Sequence, residues 1–227
     1  MTALPFADRA QAGRMLAAEI VKRSPLRPVV YALPRGGVPV AREIAAALHA
    51  PLDLLLVRKI GVPWQPELAA GSIVDGERPD IIVNDDIIRS ARVSAAEFNA
   101  VASAELKEIE RRRDLYLPDR NPISAADRTA ILVDDGVATG ASMRAAIVAI
   151  QRRAPMRVIV AVPVAAPEAV RELSALVDDF VCLAAPESFR GVGACYRDFH
   201  QLDDGEVIAL LATPPFDAAD REPAALT

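Results

Sequence analysis

The chain has 227 residues, enough for one domain of generous size or one domain carrying an insertion. Apolar residues make up 52% and aromatics only 4%, so a substantial core has to be built mainly from Val, Ile, Leu and Ala. A net charge of −5 argues against a broad nucleic-acid or anionic-membrane surface, whereas a small anion needs only a local cluster of donors.

Cys182 and Cys195 form neither a zinc pair nor a CxxC redox motif. The N-terminal residues read as carrying no secretory leader. The longest apolar run, around Val158 to Ala166, is broken by Pro163 and falls short of a membrane span. The expectation is a soluble, cytoplasmic protein with free thiols.

A first helix is expected from about Asp8 to Arg23. Asp8 and Gln11 resemble a capping box, Leu16 and Ile20 supply an apolar stripe, and Pro25 and Pro28 end it. Residues 28–33, PVVYAL, read as a buried strand, followed by Pro34-Arg35-Gly36-Gly37-Val38-Pro39. Pro39 suits a first helical turn, and Val40, Ile44 and Leu48 repeat at four-residue spacing. A strand therefore feeds a glycine-containing loop at a helix N-terminus, where backbone N–H groups can meet an anion and Arg35 adds a planar cationic fork. The loop lacks both GxGxxG spacing and the GxxxxGK[ST] pattern, and by itself Arg-Gly-Gly fits an ordinary β–α turn equally well.

Leu52 to Val57 is a third strand candidate, ending in Arg58-Lys59; Lys59 there is either a solvated terminus or an anion ligand. Gly61 to Gly71, with Pro63, Trp64 and Pro66, is expected to be irregular, a long loop with an exposed aromatic of the kind that serves as a lid. Residues 72–76 and 80–84 read as a small hairpin flanking it, and Ile87 to Arg89 as a further turn. A long helix follows from Ser94 to about Tyr116, with Ser94 and Glu97 as a capping box and Phe98, Val101 or Ala102, Leu106 and Ile109 inward. At its far end Arg111-Arg112-Arg113 reads first as a solvated face complementing the helix dipole. The sharper alternative is that one of these arginines reaches a phosphate, across a dimer interface. Leu117 to Asn121 is a proline-bearing connector.

Residues 129–150, TAILVDDGVATGASMRAAIVAI, carry the most information. A short β-branched run suits a buried parallel strand, and Asp134 and Asp135 follow at its carboxyl end. Gly136-Val137-Ala138-Thr139-Gly140-Ala141-Ser142 is small and hydroxyl-rich, and it opens a helix with Met143, Ile147 and Ile150 on one face. Such a loop cradles phosphate. Carboxylates beside a phosphate repel it unless they hold another part of the same ligand, and the vicinal hydroxyls of a ribose fit that need. An Asp-Gly turn with Asp135 as a mere cap is the plainer alternative. Val133-Asp134-Asp135-Gly136-Val137-Ala138-Thr139-Gly140 resembles the phosphoribosyl pyrophosphate (PRPP) signature of the type I phosphoribosyltransferases.

Beyond it, Arg157 to Pro163 reads as a strand, Pro167 opens a helix with Val170, Leu173 and Val177 inward, and Asp179 to Leu183 is a last core strand. Strands alternating with helices imply an α/β fold with a mostly parallel central sheet flanked by helices. Arg35, Lys59 and the Asp pair all fall where such sheets bind ligands, beyond the carboxyl ends of the strands. Gly191 to Gln201 mixes aromatics with polar groups, and Tyr196 or Phe199 could stack on a flat acceptor.

The resemblance implies a single domain over residues 1–213, with a lid and hairpin insertion at about 60–84 and a C-terminal hood segment at about 184–205; residues 214–227, rich in Pro, Ala and Asp, read as a disordered tail. It implies transfer of a 5-phosphoribosyl group from PRPP to a nitrogenous base with release of pyrophosphate, and a homodimer. Asp134 and Asp135 would hold the ribose hydroxyls and residues 136–142 the 5-phosphate. Arg35, Gly36 and Gly37 would form the pyrophosphate loop with Lys59 beside it, and Tyr196 or Phe199 would meet the base. Mg²⁺ would be held largely by the substrate, with Asp198 as a nearby carboxylate. The rival of another class is a regulator that binds PRPP or a nucleotide without turnover, against which stands the lack of a DNA-binding helix pair or basic stripe.

Overall fold

The computed structural model describes residues 4–76, 78–118 and 120–212. Five parallel strands form the centre: β1 (Pro28–Ala32), β2 (Leu52–Leu54), β6 (Thr129–Val133), β7 (Arg157–Val164) and β8 (Asp179–Ala184), in the order β2-β1-β6-β7-β8. The register of β1 on β6 runs from Pro28↔Thr129 to Ala32↔Val133. Alternation along these strands sorts side chains between two cores. Val30, Ala32, Ile131, Val133, Ile159 and Ala161 face one side, packed with α1 (Arg9–Val21) and α2 (Gly37–Leu48). On the other side Val29, Tyr31, Leu132, Val158 and Val160 meet α5 (Ala141–Gln151) and α6 (Pro167–Ser174). Every residue of β6 is buried, so a large-to-small change at Ile131 or Leu132 should cost about 2–5 kcal/mol. The helices cross to opposite faces from neighbouring strands, which opens a crevice beyond the carboxyl ends of β1 and β6.

Local signals explain the helix ends. Asp8 Oδ1 accepts from Gln11 N at 2.6 Å, although Gln11 returns its bond to Ala7 N rather than to Asp8. α4 (Ala95–Tyr116) carries the expected reciprocal box between Ser94 and Glu97 and buries Phe98, Ala102 and Ile109. Three expectations need correction, and one helix was missed. The run from Leu52 to Val57 is not one strand: β2 stops at Leu54, and the chain leaves the parallel sheet to begin β3 (Val57–Val62) of a separate antiparallel sheet, where Arg58 and Lys59 lie. The switch is bonded on both sides, Leu55 N to Ala32 O and Asp75 N to Leu56 O.

The stretch expected to be an irregular lid is a hairpin. β3 and β4 (Gln65–Val74) pair across a turn at Pro63-Trp64, and β5 (Asp80–Val83) pairs with β4 to complete a three-stranded meander. Proline and glycine hid it. Pro66 is tolerated because β5 pairs only with residues 71–74, which leaves β4 an edge at Pro66. Gly61 sits at a register shift, where a Cβ would lie 2.5 Å from Pro66 O. Residues 87–89 belong to a helix, α3 (Asp85–Ala91), capped by Asn84 and closed by Arg92 at φ 56°. A further helix, α7 (Asp204–Ala212), went unread, although Asp203 and Glu206 form a reciprocal cap before its apolar run. The predicted tail, residues 214–227, lies outside the described residues. Among the described residues no helix is long and apolar enough to cross a membrane. Both cysteines are free, and burial pushes the Cys182 thiol up to about 11.

Candidate active site

β6 delivers Asp134 and Asp135 to the crevice, and the loop after them is pinned at two points. Val137 is bonded in both directions, its N–H to Val164 O at 2.9 Å and its carbonyl from Ala166 N at 2.9 Å. Gly140, at φ +76°, starts α5 with no side-chain cap. Between and after these anchors Ala138, Thr139, Ala141 and Ser142 are exposed. The first-turn N–H groups of α5 lack intrahelical partners and the loop walls are small, the geometry an anion site requires. Gly136 is held close to the chain's later hood: a Cβ there would lie 2.6 Å from Val192 Cγ1.

The acidic pair is organised by Arg9, the first residue of α1. Arg9 Nε donates to Asp135 Oδ2 at 2.7 Å and Nη1 to His200 O at 3.0 Å, while its guanidinium lies 3.9 Å from the Phe199 ring centroid. Asp135 N donates to Asp134 Oδ1 at 2.8 Å, and the Tyr196 hydroxyl donates to the Asp135 carbonyl. Burial, then repulsion from Asp135, pushes the Asp134 carboxyl well above the usual carboxylate range. Burial raises Asp135 too, against the pull of Arg9.

The loop after β1 packs directly on this pair. Leu33 N donates to Val133 O at 2.8 Å, and the Pro34–Arg35 peptide is cis. A Cβ on Gly36 would fall 2.0 Å from Asp135 Oδ2, and one on Gly37 2.6 Å from Val133 O. Only glycine permits that approach. Arg35 is held from behind, Nη1 on Leu202 O at 2.8 Å and Nε 3.2 Å from Asp204, whose carboxylate also accepts from Tyr116. Arg9, Arg35, Arg112, Asp135 and Phe199 line one cavity of about 520 Å³.

The structure therefore brings Asp134, Asp135, Arg35, Gly36, Gly37 and Phe199 together, while Thr139 and Ala141 of the loop that follows the acids line a second cavity with Gly71 and Asn84; other candidates lie apart. Lys59 is one: its Nζ pairs with Glu67 at 3.1 Å on the antiparallel ribbon, along a different cavity with Pro63 and Glu105, because its strand belongs to the second sheet. The Tyr196 ring is buried between Phe6 and Phe199, at centroid distances of 5.5 and 5.1 Å, which removes it as a stacking surface for an acceptor. Asp198 bonds its oxygen to His200 N and Nδ1, both at 3.2 Å. Among the described residues no group of three His, Cys, Asp or Glu is placed to hold a metal. The three arginines near the end of α4 part company: Arg111 is exposed, Arg112 faces the cavity, and Arg113 is buried on Asp53 and Asp75 rather than solvated. Sequence reasoning missed Arg9, and it offered Arg112 only as one of the three arginines 111–113 without choosing among them. For Arg9 one signal existed, a cation in the first turn of a helix that carries no acid there, against the helix dipole.

Residues 6–199 match the phosphoribosyl transferase domain. Two Mycobacterium tuberculosis proteins, whose name phosphoribosyl transferase is provisional, are each 45% identical over 206 residues. That alignment covers 91% of this chain but 46% of the relative, so the chain spans about half the length of the curated relatives it matches. The crystal structure of TT1426 from Thermus thermophilus superimposes with a TM-score of 0.81 at 40% identity, covering 92% of this chain and 98% of that one.

Proposed function

Because the chain belongs to the phosphoribosyl transferase domain family, we propose that it transfers the 5-phosphoribosyl group of PRPP to a nitrogenous acceptor and releases pyrophosphate. One observation carries the reading. The backbone of Gly36 lies so close to the Asp135 carboxylate that no side chain fits between them, which makes the Arg35 loop and the acidic pair walls of one crevice. A phosphate cradle, two carboxylates and a cationic loop then meet in the order of a 5-phosphate, ribose hydroxyls and a pyrophosphate.

In this reading the first-turn N–H groups of α5 with Thr139 and Ser142 hold the 5-phosphate, and Asp134 and Asp135 accept from the 2- and 3-hydroxyls. As the C1–O bond to pyrophosphate lengthens, positive charge builds at C1 and negative charge on the leaving group. The carboxylates offset the first and Arg35 the second. The acceptor nitrogen forms its bond to C1 from the opposite face as the C1–O bond to pyrophosphate breaks, and its proton passes to water, so no enzyme nucleophile is needed. Positioning and fixed charge do the catalysis. Phe199 is the aromatic on the cavity wall, so contact with a flat acceptor falls to it rather than to Tyr196.

Mg²⁺ in phosphate sites keeps its waters and takes one or two carboxylates together with substrate oxygens. Asp134 and Asp135 meet that requirement. They would hold the ion with PRPP, and it would neutralise charge on the pyrophosphate. The test is incubation with PRPP, Mg²⁺ and a panel of nucleobases while pyrophosphate release is followed. Base-dependent release is expected. Tight PRPP binding with no release for any base would assign a binding role instead.

A further inference from the structure

Resting on the phosphoribosyl reading above, we infer that Arg112 of α4, rather than Lys59, is the second cation that binds the leaving pyrophosphate. Three guanidinium groups face the 520 Å³ cavity against one carboxylate. Arg9 is already committed to Asp135, His200 O and the Phe199 ring, with 9% of its side chain exposed. Arg35 lies on the pyrophosphate loop itself. Arg112 differs from both. Its bonds among the described residues use only Nε, on Glu108 Oε1 at 2.7 Å, and its side chain stays 27% exposed. The terminal N–H groups of its fork are therefore available to phosphate oxygens.

The neighbouring residues show how Arg112 can turn. Steps of about 100° along a helix give Arg111, Arg112 and Arg113 separate surroundings: solvent, cavity and buried clamp respectively. Glu108 is shared, and Arg111 grips it with two bonds, Nε at 2.8 Å and Nη2 at 3.0 Å. The two guanidinium groups push the Glu108 carboxyl down to about 2, so it is ionised at any working pH. Arg112 thus rests on an anion in the free protein, and Arg111 keeps that anion compensated when Arg112 swings to a ligand. Arg111 shares the partner and lacks the cavity, which makes it an internal control.

The experiment is calorimetric titration of the full chain with PRPP, with inorganic pyrophosphate and with ribose 5-phosphate, each with Mg²⁺. Arg112→Ala should weaken pyrophosphate binding by about tenfold or more, the loss expected for charge-assisted bonds, and leave ribose 5-phosphate unchanged. Arg112→Gln keeps more of the stem and should behave alike. Arg111→Ala should alter neither ligand. Wild-type affinity for pyrophosphate in both Arg112 variants overturns the inference, as does an equal loss for ribose 5-phosphate. If the wild-type protein binds PRPP, such a result leaves the phosphoribosyl reading standing. Wild-type protein that ignores PRPP removes both.

Discussion

Two clusters in this protein contain the same groups, one arginine and two aspartates, and put them to opposite uses. Around Arg113 every carboxylate oxygen is occupied. Asp53 Oδ1 accepts from Leu54 N and Oδ2 from Ile123 N, at 2.8 and 2.7 Å, and both oxygens also meet Arg113. Asp75 accepts from Leu56 N at 2.7 Å and from Arg113 at 2.6 Å. Both acids are 3% exposed, and they tie the point where the chain changes sheets to α4. Around Arg9 the hydrogen bonds involve one oxygen of Asp134 and one of Asp135, and a cavity lies alongside. Composition does not separate a clamp from a site. What separates them is whether the backbone supplies enough donors to saturate the acids.

That contrast predicts unequal costs. Arg113→Met strands two buried carboxylates and should lower unfolding free energy by about 3–5 kcal/mol in urea denaturation. Arg9→Met should lower it clearly less, because its acids border a cavity that water can enter. Equal losses for the two variants would erase the distinction between clamp and site.

The closed cluster should also show in the pH dependence of stability. Burial, only partly opposed by Arg113, raises Asp75 from 3.8 to about 6. A raised carboxyl binds its proton more strongly folded than unfolded, so stability falls as pH rises from about 4 to about 6 and levels off above. The span of roughly two pH units corresponds to on the order of 3 kcal/mol. Subtracting the profile of Asp75→Asn from that of the wild type should isolate this slope, and parallel profiles would count against it.

For the open cluster the readout moves from stability to binding. Asp134→Asn with Asp135→Asn should weaken PRPP by about a hundredfold, as expected for losing charged acceptors. The urea midpoint should stay near that of the wild type, since the substitution also removes the cost of holding two buried carboxylates charged. Unaltered PRPP binding in the double variant would sink the ribose assignment. With single acids the pH limb should sharpen the point: PRPP binding fades as pH falls through the raised titration of the pair, above the ordinary carboxylate range.

Much of this was legible because the signals are local. Two-sided burial wrote continuous apolar runs into β1, β6 and β7, capping residues marked α1 and α4, and residues 133–140 carried the family signature, acids at a strand end followed by a small-residue turn into a helix. The clamp was not legible, because Asp53, Asp75 and Arg113 meet only after the chain has changed sheets and returned through α4. The same event moved Lys59 away from the crevice and brought Arg112 to it. Arg112 sits between two arginines of unlike fate, and no spacing rule tells which member of such a run faces a ligand until the axis of its helix is fixed. Pro66 and Gly61 obscured the β3–β4 hairpin for a related reason, since each is compatible with a strand only at a bulge or edge that pairing defines.

The smallest effect expected tests how the open cluster is held. Tyr196 is packed by Phe6 and Phe199, and its hydroxyl donates to the carbonyl of Asp135. That carbonyl belongs to the residue whose side chain Arg9 grips, so the two contacts fix both ends of Asp135. Tyr196→Phe keeps the ring packing and removes one neutral donor, a change of about 0.5–1.5 kcal/mol in stability. If the hydroxyl only fills its place in the hood, PRPP binding should not move with it. If it orients the acid, affinity should fall several-fold while pyrophosphate alone binds as before, because the loss falls on the ribose side of the crevice. Equal weakening of both ligands would mean that the hood as a whole has loosened, and the carbonyl contact would then be no more than packing.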